Sequence, residues 1–274
     1  MTSRTLTPFV LCADDYGLTP EVSSGILDLA AQRRISATSV MSLSPDWPEW
    51  SLPLKAARTG LDIGLHLDLT STFAKKDGCG DSLSAWMIKS TCRMLRPTVL
   101  ERVIVKQLDL FEHHLGAVPD HVDGHQHIHQ FPVIRDVLMR VLSRRYPTGQ
   151  RPWLRISRST SPTADFKARV IAAMGAKALE RLAIHHGFAH SLNLSGIYDF
   201  QGNALIYRER LRAWLEELPQ GSVLMCHPAK GINPQSPTPM ASAWEYEVLA
   251  SEALPVLLKS TLTEISKGQM LFGK

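Results

Sequence analysis

Several short apolar runs in this chain stop abruptly at polar or ionisable residues, and no other feature limits its fold as much. Phe9 to Ala13 ends at Asp14-Asp15, Asp62 to Leu65 ends at His66, and Val223 to Cys226 ends at His227. Runs of this length predict buried strands. Ala37 to Met41, His121 to Asp123 and Trp153 to Ile156 are shorter members of the same set. Between the runs, apolar residues return at helical spacing. Val22, Ile26, Leu29 and Ala30 share a face behind Thr19 as N-cap and Pro20 at the first helical position. Ile104, Leu108, Phe111 and Leu115 repeat the stripe, as do Ile134, Val137, Leu138, Val141 and Leu142. Further helices are expected from about Asp165 to His185 and from about Leu205 to Leu218.

Strands alternating with helices imply parallel strands joined by right-handed crossovers, so the expected class is an α/β sheet or barrel. Ligand sites in such folds gather at the carboxyl ends of the strands, which is where these runs place their ionisable residues. The length of 274 residues suits one barrel as well as two small domains, and no internal repeat or linker divides it. Ser71 to Pro97 has little regular pattern and contains Gly78, Gly80 and Lys75-Lys76, so it reads as a loop insertion over the site. Asn233 to Pro239, with three prolines, reads as another loop.

Composition removes several function classes. With 44% apolar and 20% charged residues the chain has the make-up of a globular protein. Its net charge of +4 is scattered rather than striped, which argues against nucleic acid as a partner. Met1 to Val10 lacks a basic region followed by an apolar stretch, and no apolar run approaches bilayer length. A cytoplasmic protein with no integral membrane segment is expected. The four cysteines, Cys12, Cys79, Cys92 and Cys226, form no Cys-x-x-Cys pair, so buried reduced thiols are expected rather than a zinc knuckle.

Four clusters carry chemistry. Asp14 and Asp15 are adjacent carboxylates at a strand end; they repel each other, and either a cation or a turn accounts for them. His66 ends its run as a ligand or as a partly buried polar residue. His121-Val122-Asp123-Gly124-His125-Gln126-His127-Ile128-His129 holds four histidines and an aspartate in nine residues, a density that favours a metal over a purely structural role. Gly124 suggests that the strand ends near Asp123 and that the later histidines enter a loop and the next helix. His227 ends the last strong run, either as an acid or base reaching the same cleft or as a strand-end cap.

Ala13-Asp14-Asp15-Tyr16-Gly17, Gly64-Leu65-His66-Leu67, the histidine-rich segment and Met225-Cys226-His227-Pro228, in this order and spacing, resemble the YdjC-like carbohydrate deacetylases. That family includes chitooligosaccharide deacetylase and the hopanoid-biosynthesis deacetylase. The resemblance runs over roughly residues 9 to 250, and its four motifs are jointly specific. Tyr16 stands where Phe is commoner and keeps an aromatic ring. The resemblance implies a distorted (β/α) barrel forming a single domain over 1–274, related to glycoside hydrolase and deacetylase barrels. It also implies one divalent ion, Mg2+ or Zn2+, held by Asp15, His66 and His125. By similarity to the broader polysaccharide deacetylases, Asp14 is then the catalytic base and His227 the catalytic acid.

Arg155 either orients Asp14 or holds a sugar hydroxyl, and it joins His127, His129 and Tyr16 as candidates for substrate contact. The implied substrate is an N-acetylated amino sugar, as a chitooligosaccharide or a lipid-linked N-acetylglucosamine. A homodimer is compatible with the sequence. Two readings compete with this one. An amidohydrolase on a barrel would place a His-x-His pair at the first strand, where this chain offers two aspartates. A carbohydrate-binding protein would have no need of the intact set Asp14, Asp15, His66, His125 and His227.

Overall fold

The computed structural model describes residues 5–159, 166–234 and 236–273, with the backbone alone at 166–169. Its strands are β1 (Thr7–Tyr16), β2 (Ala37–Val40), β3 (Asp62–Leu67), β4 (His121–Gly124), β5 (Trp153–Leu154), β6 (Asn193–Ser195), β7 (Ser222–Cys226) and β8 (Thr263–Ile265). The first half of the chain adds α1 (Pro20–Ala31), α2 (Trp47–Ala57), α3 (Thr72–Lys76), α4 (Leu83–Thr91), α5 (Pro97–Leu115) and α6 (Ile134–Arg145). The second half adds α7 (Phe166–Ala173), α8 (Ala176–His186), α9 (Ala204–Glu216), α10 (Pro239–Ala250), α11 (Ala253–Thr261) and α12 (Gly268–Phe272).

All strand pairings are parallel, in the order β5-β4-β3-β2-β1-β7-β6, with β8 paired to the first residues of β1. The extended chain from Ala189 to Ser195 joins the two ends of this row. Leu154 N–H donates to Ala189 O at 2.9 Å and Ser191 N–H to Leu154 O at 3.0 Å, while β6 pairs with β7 on the other side. The result is the distorted α/β barrel expected.

The period-two geometry of β1 divides two cores. Phe9, Leu11 and Ala13 join the large outer cluster beneath the helices, with Ile26, Leu29, Ile104 and Phe111. Val10 and Cys12 point into the barrel with Ala37, Trp153, Leu194, Val223 and Met225. A strand covered on both faces has no polar side to show, hence the near-continuous apolar runs. Gly64 faces the interior because a Cβ there would lie 2.3 Å from the His121 ring, which stacks on Trp153 with centroids 4.4 Å apart. Helix α12 closes the amino-terminal end of the barrel, with Phe272 against Trp153.

Thr19 caps α1, its Oγ1 accepting from Val22 N–H, with Pro20 at the first helical position as expected. The stretch 71–97 differs from expectation: it contains α3 and α4 rather than an irregular loop. Each is nucleated by a serine cap, with Ser71 accepting from Phe73 and Ala74 N–H and Ser82 from Ala85 N–H, and each is too short to show a clear period. The helix expected over 165–185 is two helices broken at Gly175, whose φ of +139° and contact with Gln130 O, 2.1 Å from a hypothetical Cβ, exclude a side chain. Its expected start at Asp165 lies outside the described residues, as do the first four residues of Met1–Val10. Cys12 and Cys226 are buried, but Cys92 is exposed and Cys79 only half-buried. No helix among the described residues is long and apolar enough to cross a membrane.

Candidate active site

Strict alternation would send Asp14 inward and Asp15 outward under the helices. The end of β1 breaks that rule. Asp15 has φ +70°, and the pairing of β1 with β2 shifts register between Ala13 and Tyr16. A left-handed residue in a strand bulge re-aims its side chain, so both carboxylates line one cavity at the carboxyl end of the barrel.

Among the described residues, Asp15 Oδ1 is buried and has no hydrogen-bond donor. His66 Nε2 lies 3.3 Å away, within ion-pair range but without hydrogen-bond alignment, and His125 Nε2 lies 4.0 Å away. Both imidazoles are fixed from behind. His66 Nδ1 donates to Asp123 Oδ1 at 2.6 Å, which turns Nε2 toward Asp15. His125 Nδ1 lies 2.8 Å from Thr70 Oγ1, and Thr70 is held in turn by its backbone N–H to Asp68. Gln107 of α5 binds both the N–H and the carbonyl of Asp68, so a helix outside the barrel locks the loop that orients His125. Burial favours a neutral His66, yet the Asp123, Asp15 and Asp14 carboxylates outweigh it and raise its pKa to about 10. Burial would likewise raise the Asp15 carboxyl, but His66, His125 and His227 hold it below the usual carboxylate range. Burial lowers the pKa of His125, against the pull of Asp15.

Asp14 faces a different partner. Arg155, fully buried, donates from Nη1 to Asp14 Oδ1 at 2.7 Å and from Nη2 to Oδ2 at 2.8 Å. The same guanidinium lies 3.0 Å from Asp123 Oδ2, which also accepts from Ser39 Oγ at 2.5 Å. Asp123 therefore ties the His66 arm of the site to the Asp14 arm. Sequence reading placed Asp123 inside the histidine motif but gave it no role; its neighbour Gly124, marking a strand end, was the available signal.

Of the other expected site residues, His227 and His127 line the cavity and His129 and Tyr16 do not. His127 has φ +60° in the 3-10 turn His125–Gln130, and its Nδ1 lies 3.0 Å from Ser157 Oγ; burial keeps it a neutral imidazole. His129 is turned back into the protein, donating from Nε2 to Arg155 O at 2.8 Å, so it braces the arginine rather than meeting a ligand. Tyr16 is fully buried between Trp47 and Trp50 with its hydroxyl on Trp50 O at 2.8 Å. Arg155, with no exposed surface, orients Asp14 and has no path to a sugar hydroxyl.

The cavity measures about 460 Å3, and its walls beyond the ionisable cluster are mainly apolar, including Leu83, Met87, Phe131, Ile171, Met174 and Phe200. Leu83 and Met87 come from α4, so the 71–97 stretch does reach over the site.

Among the described residues, the groups whose ligand-type atoms all lie within 4.8 Å of one another are Cys12, His121 and Asp123, and Asp14, His66 and Asp123; the expected set Asp15, His66 and His125 is less tightly gathered. Arg155 already neutralises both carboxylates of these groups, and a cation there would have to displace a buried guanidinium. The set Asp15, His66 and His125 fits a divalent ion better: a donor-free carboxylate oxygen faces two imidazole nitrogens whose far sides are hydrogen-bonded, with the cavity open beside them.

The family model described as YdjC-like protein matches residues 8–260. A carbohydrate deacetylase of Danio rerio is 29% identical over 145 residues, 49% of this chain and 46% of the relative. A chitooligosaccharide deacetylase of Enterobacter sp. (strain 638) is 25% identical over 141 residues, 50% of this chain and 56% of the relative. The chain thus matches about half the length of these curated relatives. A carbohydrate deacetylase of Geobacillus stearothermophilus is 24% identical over 263 residues, 92% of this chain and 90% of the relative. Among solved structures, an Enterococcus faecalis V583 protein named for cellobiose-phosphate cleavage superposes with a TM-score of 0.70 at 20% identity, covering 98% of this chain and 100% of that one, which shows a shared fold.

Proposed function

This chain belongs to the YdjC-like family, and from that premise we propose that it is a metal-dependent hydrolase that removes the acetyl group from an N-acetylated amino sugar. The observation that carries the reading is the buried, donor-free Asp15 oxygen facing His66 and His125, one residue from a carboxylate clamped by Arg155. A divalent cation held by Asp15, His66 and His125 would acidify a water and polarise the acetyl carbonyl. Asp14 accepts the proton of the attacking water, and the two bonds from Arg155 fix the plane in which it does so. Asp14 Oδ1 also accepts from Cys12 Sγ at 3.5 Å, so Oδ2 is the oxygen with a lone pair left for that transfer. An amine leaves poorly until protonated, and His227 supplies the proton from across the cavity. His127, neutral and aimed into the cavity, is placed to contact the sugar.

Hydroxyl groups pressed against the apolar wall would lose their hydrogen bonds to water. The wall therefore favours the lipid-linked class over a bare chitooligosaccharide, with the amino sugar at the ionisable cluster and the apolar portion along Leu83, Met87 and Phe131. The test is acetate release from free and lipid-linked N-acetylated saccharides, with chelated protein and protein reloaded with Mg2+ or Zn2+. Release is expected only after reloading. Sugar binding with no release at full metal occupancy would overturn the hydrolase in favour of a carbohydrate-binding protein. His227→Ala should retain most activity on an aryl acetate, whose leaving group needs no proton, and lose it on the amide; equal losses would remove His227 from the acid role.

A further inference from the structure

Glu245 of α10 is 1% exposed and does not line the cavity, yet it holds two groups that reach it. Its Oε2 accepts the backbone N–H of His227 at 2.5 Å, and its Oε1 accepts the Tyr198 hydroxyl at 2.7 Å. Tyr198 packs on Phe200 with centroids 4.7 Å apart, and Phe200 meets the His227 ring edge-on at 5.5 Å. Glu245, His227, Phe200 and Tyr198 thus form a closed circuit, and its last three members all line the cavity. Among the described residues the His227 ring has little else to fix it: Nδ1 is buried without a hydrogen-bond partner. Its direction is set by its backbone at the end of β7 and by the Phe200 edge, and both lead back to Glu245.

A carboxyl group buried beside two donors is costly to the fold, and burial raises its pKa even though the nearby His227 imidazole and those donors pull it down. Packing alone does not call for a carboxyl group at this place.

We propose that Glu245 is a positioning residue that aims His227 at the leaving nitrogen and holds Tyr198 and Phe200 as the wall beside it. This rests on the reading of His227 as the acid. A carboxylate and a carboxamide satisfy the geometry equally: in Glu245→Gln the amide oxygen accepts from His227 N–H while the amide nitrogen donates to the Tyr198 hydroxyl. Glu245→Leu fills similar space and leaves both donors without a partner. Glu245→Asp keeps the charge but is too short to serve both.

On metal-loaded protein, Glu245→Leu and Glu245→Asp should lower kcat on an N-acetyl sugar by at least about tenfold with little change in KM or metal affinity, since small misplacements of a reacting group are costly. Glu245→Gln should stay near wild type. In a His227→Ala background Glu245→Leu should cause no further loss, because the two substitutions remove one function. Independent losses would overturn the proposal. A second measurement stands apart from the reaction. The His227 imidazole NMR signals, assigned by their disappearance in His227→Ala, should shift in Glu245→Asp and Glu245→Leu and remain in place in Glu245→Gln. Unmoved signals in both disruptive variants would overturn the positioning role whatever the substrate proves to be, and shifted signals in a protein that releases no acetate would reject the deacetylase reading alone. Should Glu245→Leu fail to fold, Glu245→Asp carries both measurements.

Discussion

The two ends of the barrel each bury a pair of carboxylates, and they partner them differently. At the base, Asp62 Oδ2 accepts from Gln269 N–H at 2.9 Å and Trp153 Nε1 at 3.3 Å, with Lys267 Nζ 3.4 Å from Oδ1. Asp120 accepts from Ile63 N–H, Arg58 and the Gln269 side chain. These bonds fasten the carboxyl-terminal segment under the strands. At the mouth, Asp14 has a bidentate arginine, but Asp15 Oδ1 has no donor. Asp62 Oδ1 at the base also lacks a hydrogen bond, but a lysine ammonium stands 3.4 Å from it, whereas Asp15 Oδ1 faces only imidazoles and the open cavity at the end where the strands converge. The base is charge arranged for the fold; the mouth is charge arranged for a ligand.

The contrast is most exposed to failure in metal binding. His66→Ala and His125→Ala should each abolish stoichiometric binding of Zn2+ or Mg2+ while the far-ultraviolet circular dichroism stays native. Full metal content in both variants would remove the mouth's distinction from the base. Next in size is Asp14→Asn, which should keep its metal and lose at least about two orders of magnitude in turnover, the range for a lost general base. Near-normal acetate release would move the base elsewhere.

Stability should divide in the other direction. Asp120→Ala strands the Ile63 N–H, while Arg58 keeps its bond to Val118 O and its access to water, and the change should cost about 1–3 kcal/mol by urea unfolding and leave metal affinity unchanged. Asp15→Asn in chelated protein should change stability by less than that while eliminating tight metal binding. If Asp15→Asn proved the more destabilising of the two, the mouth would be as structural as the base. The smallest effect is expected at Tyr16→Phe. Loss of its bond to Trp50 O should cost about 0.5–1.5 kcal/mol and leave kcat and KM alone, since the ring packs between tryptophans rather than against the cavity.

Much of the barrel is legible in the chain because parallel strands buried on both faces need unbroken apolar runs, and β1, β3 and β7 appear where those runs stand. The strands that escaped notice, β6 and β8, have three residues each and take their order from neighbours rather than from pattern. The short helices α3 and α4 escaped for the same reason. Among the site residues, Asp14, Asp15, His66, His125, His127 and His227 are brought to one cavity, whereas Tyr16, His129 and Arg155 are withdrawn behind it. Sequence shows a residue's chemistry and its place along a strand; it does not show which way a left-handed bulge or a 3-10 turn aims a side chain.

By itself, then, the sequence determined that strands and helices alternate, that ionisable groups end the strands, and which residue types meet there. Local hydrophobic period and motif order carry that information, and both are properties of neighbours along the chain. Only the tertiary structure decided that Asp15 turns to the mouth, that Asp123 joins His66 to Arg155, and that Glu245, outside every motif, stands behind His227. Those are contacts between segments 57, 32 and 18 residues apart or at a backbone bend, and a pairing across such separations is fixed by strand register and packing, which no local pattern encodes.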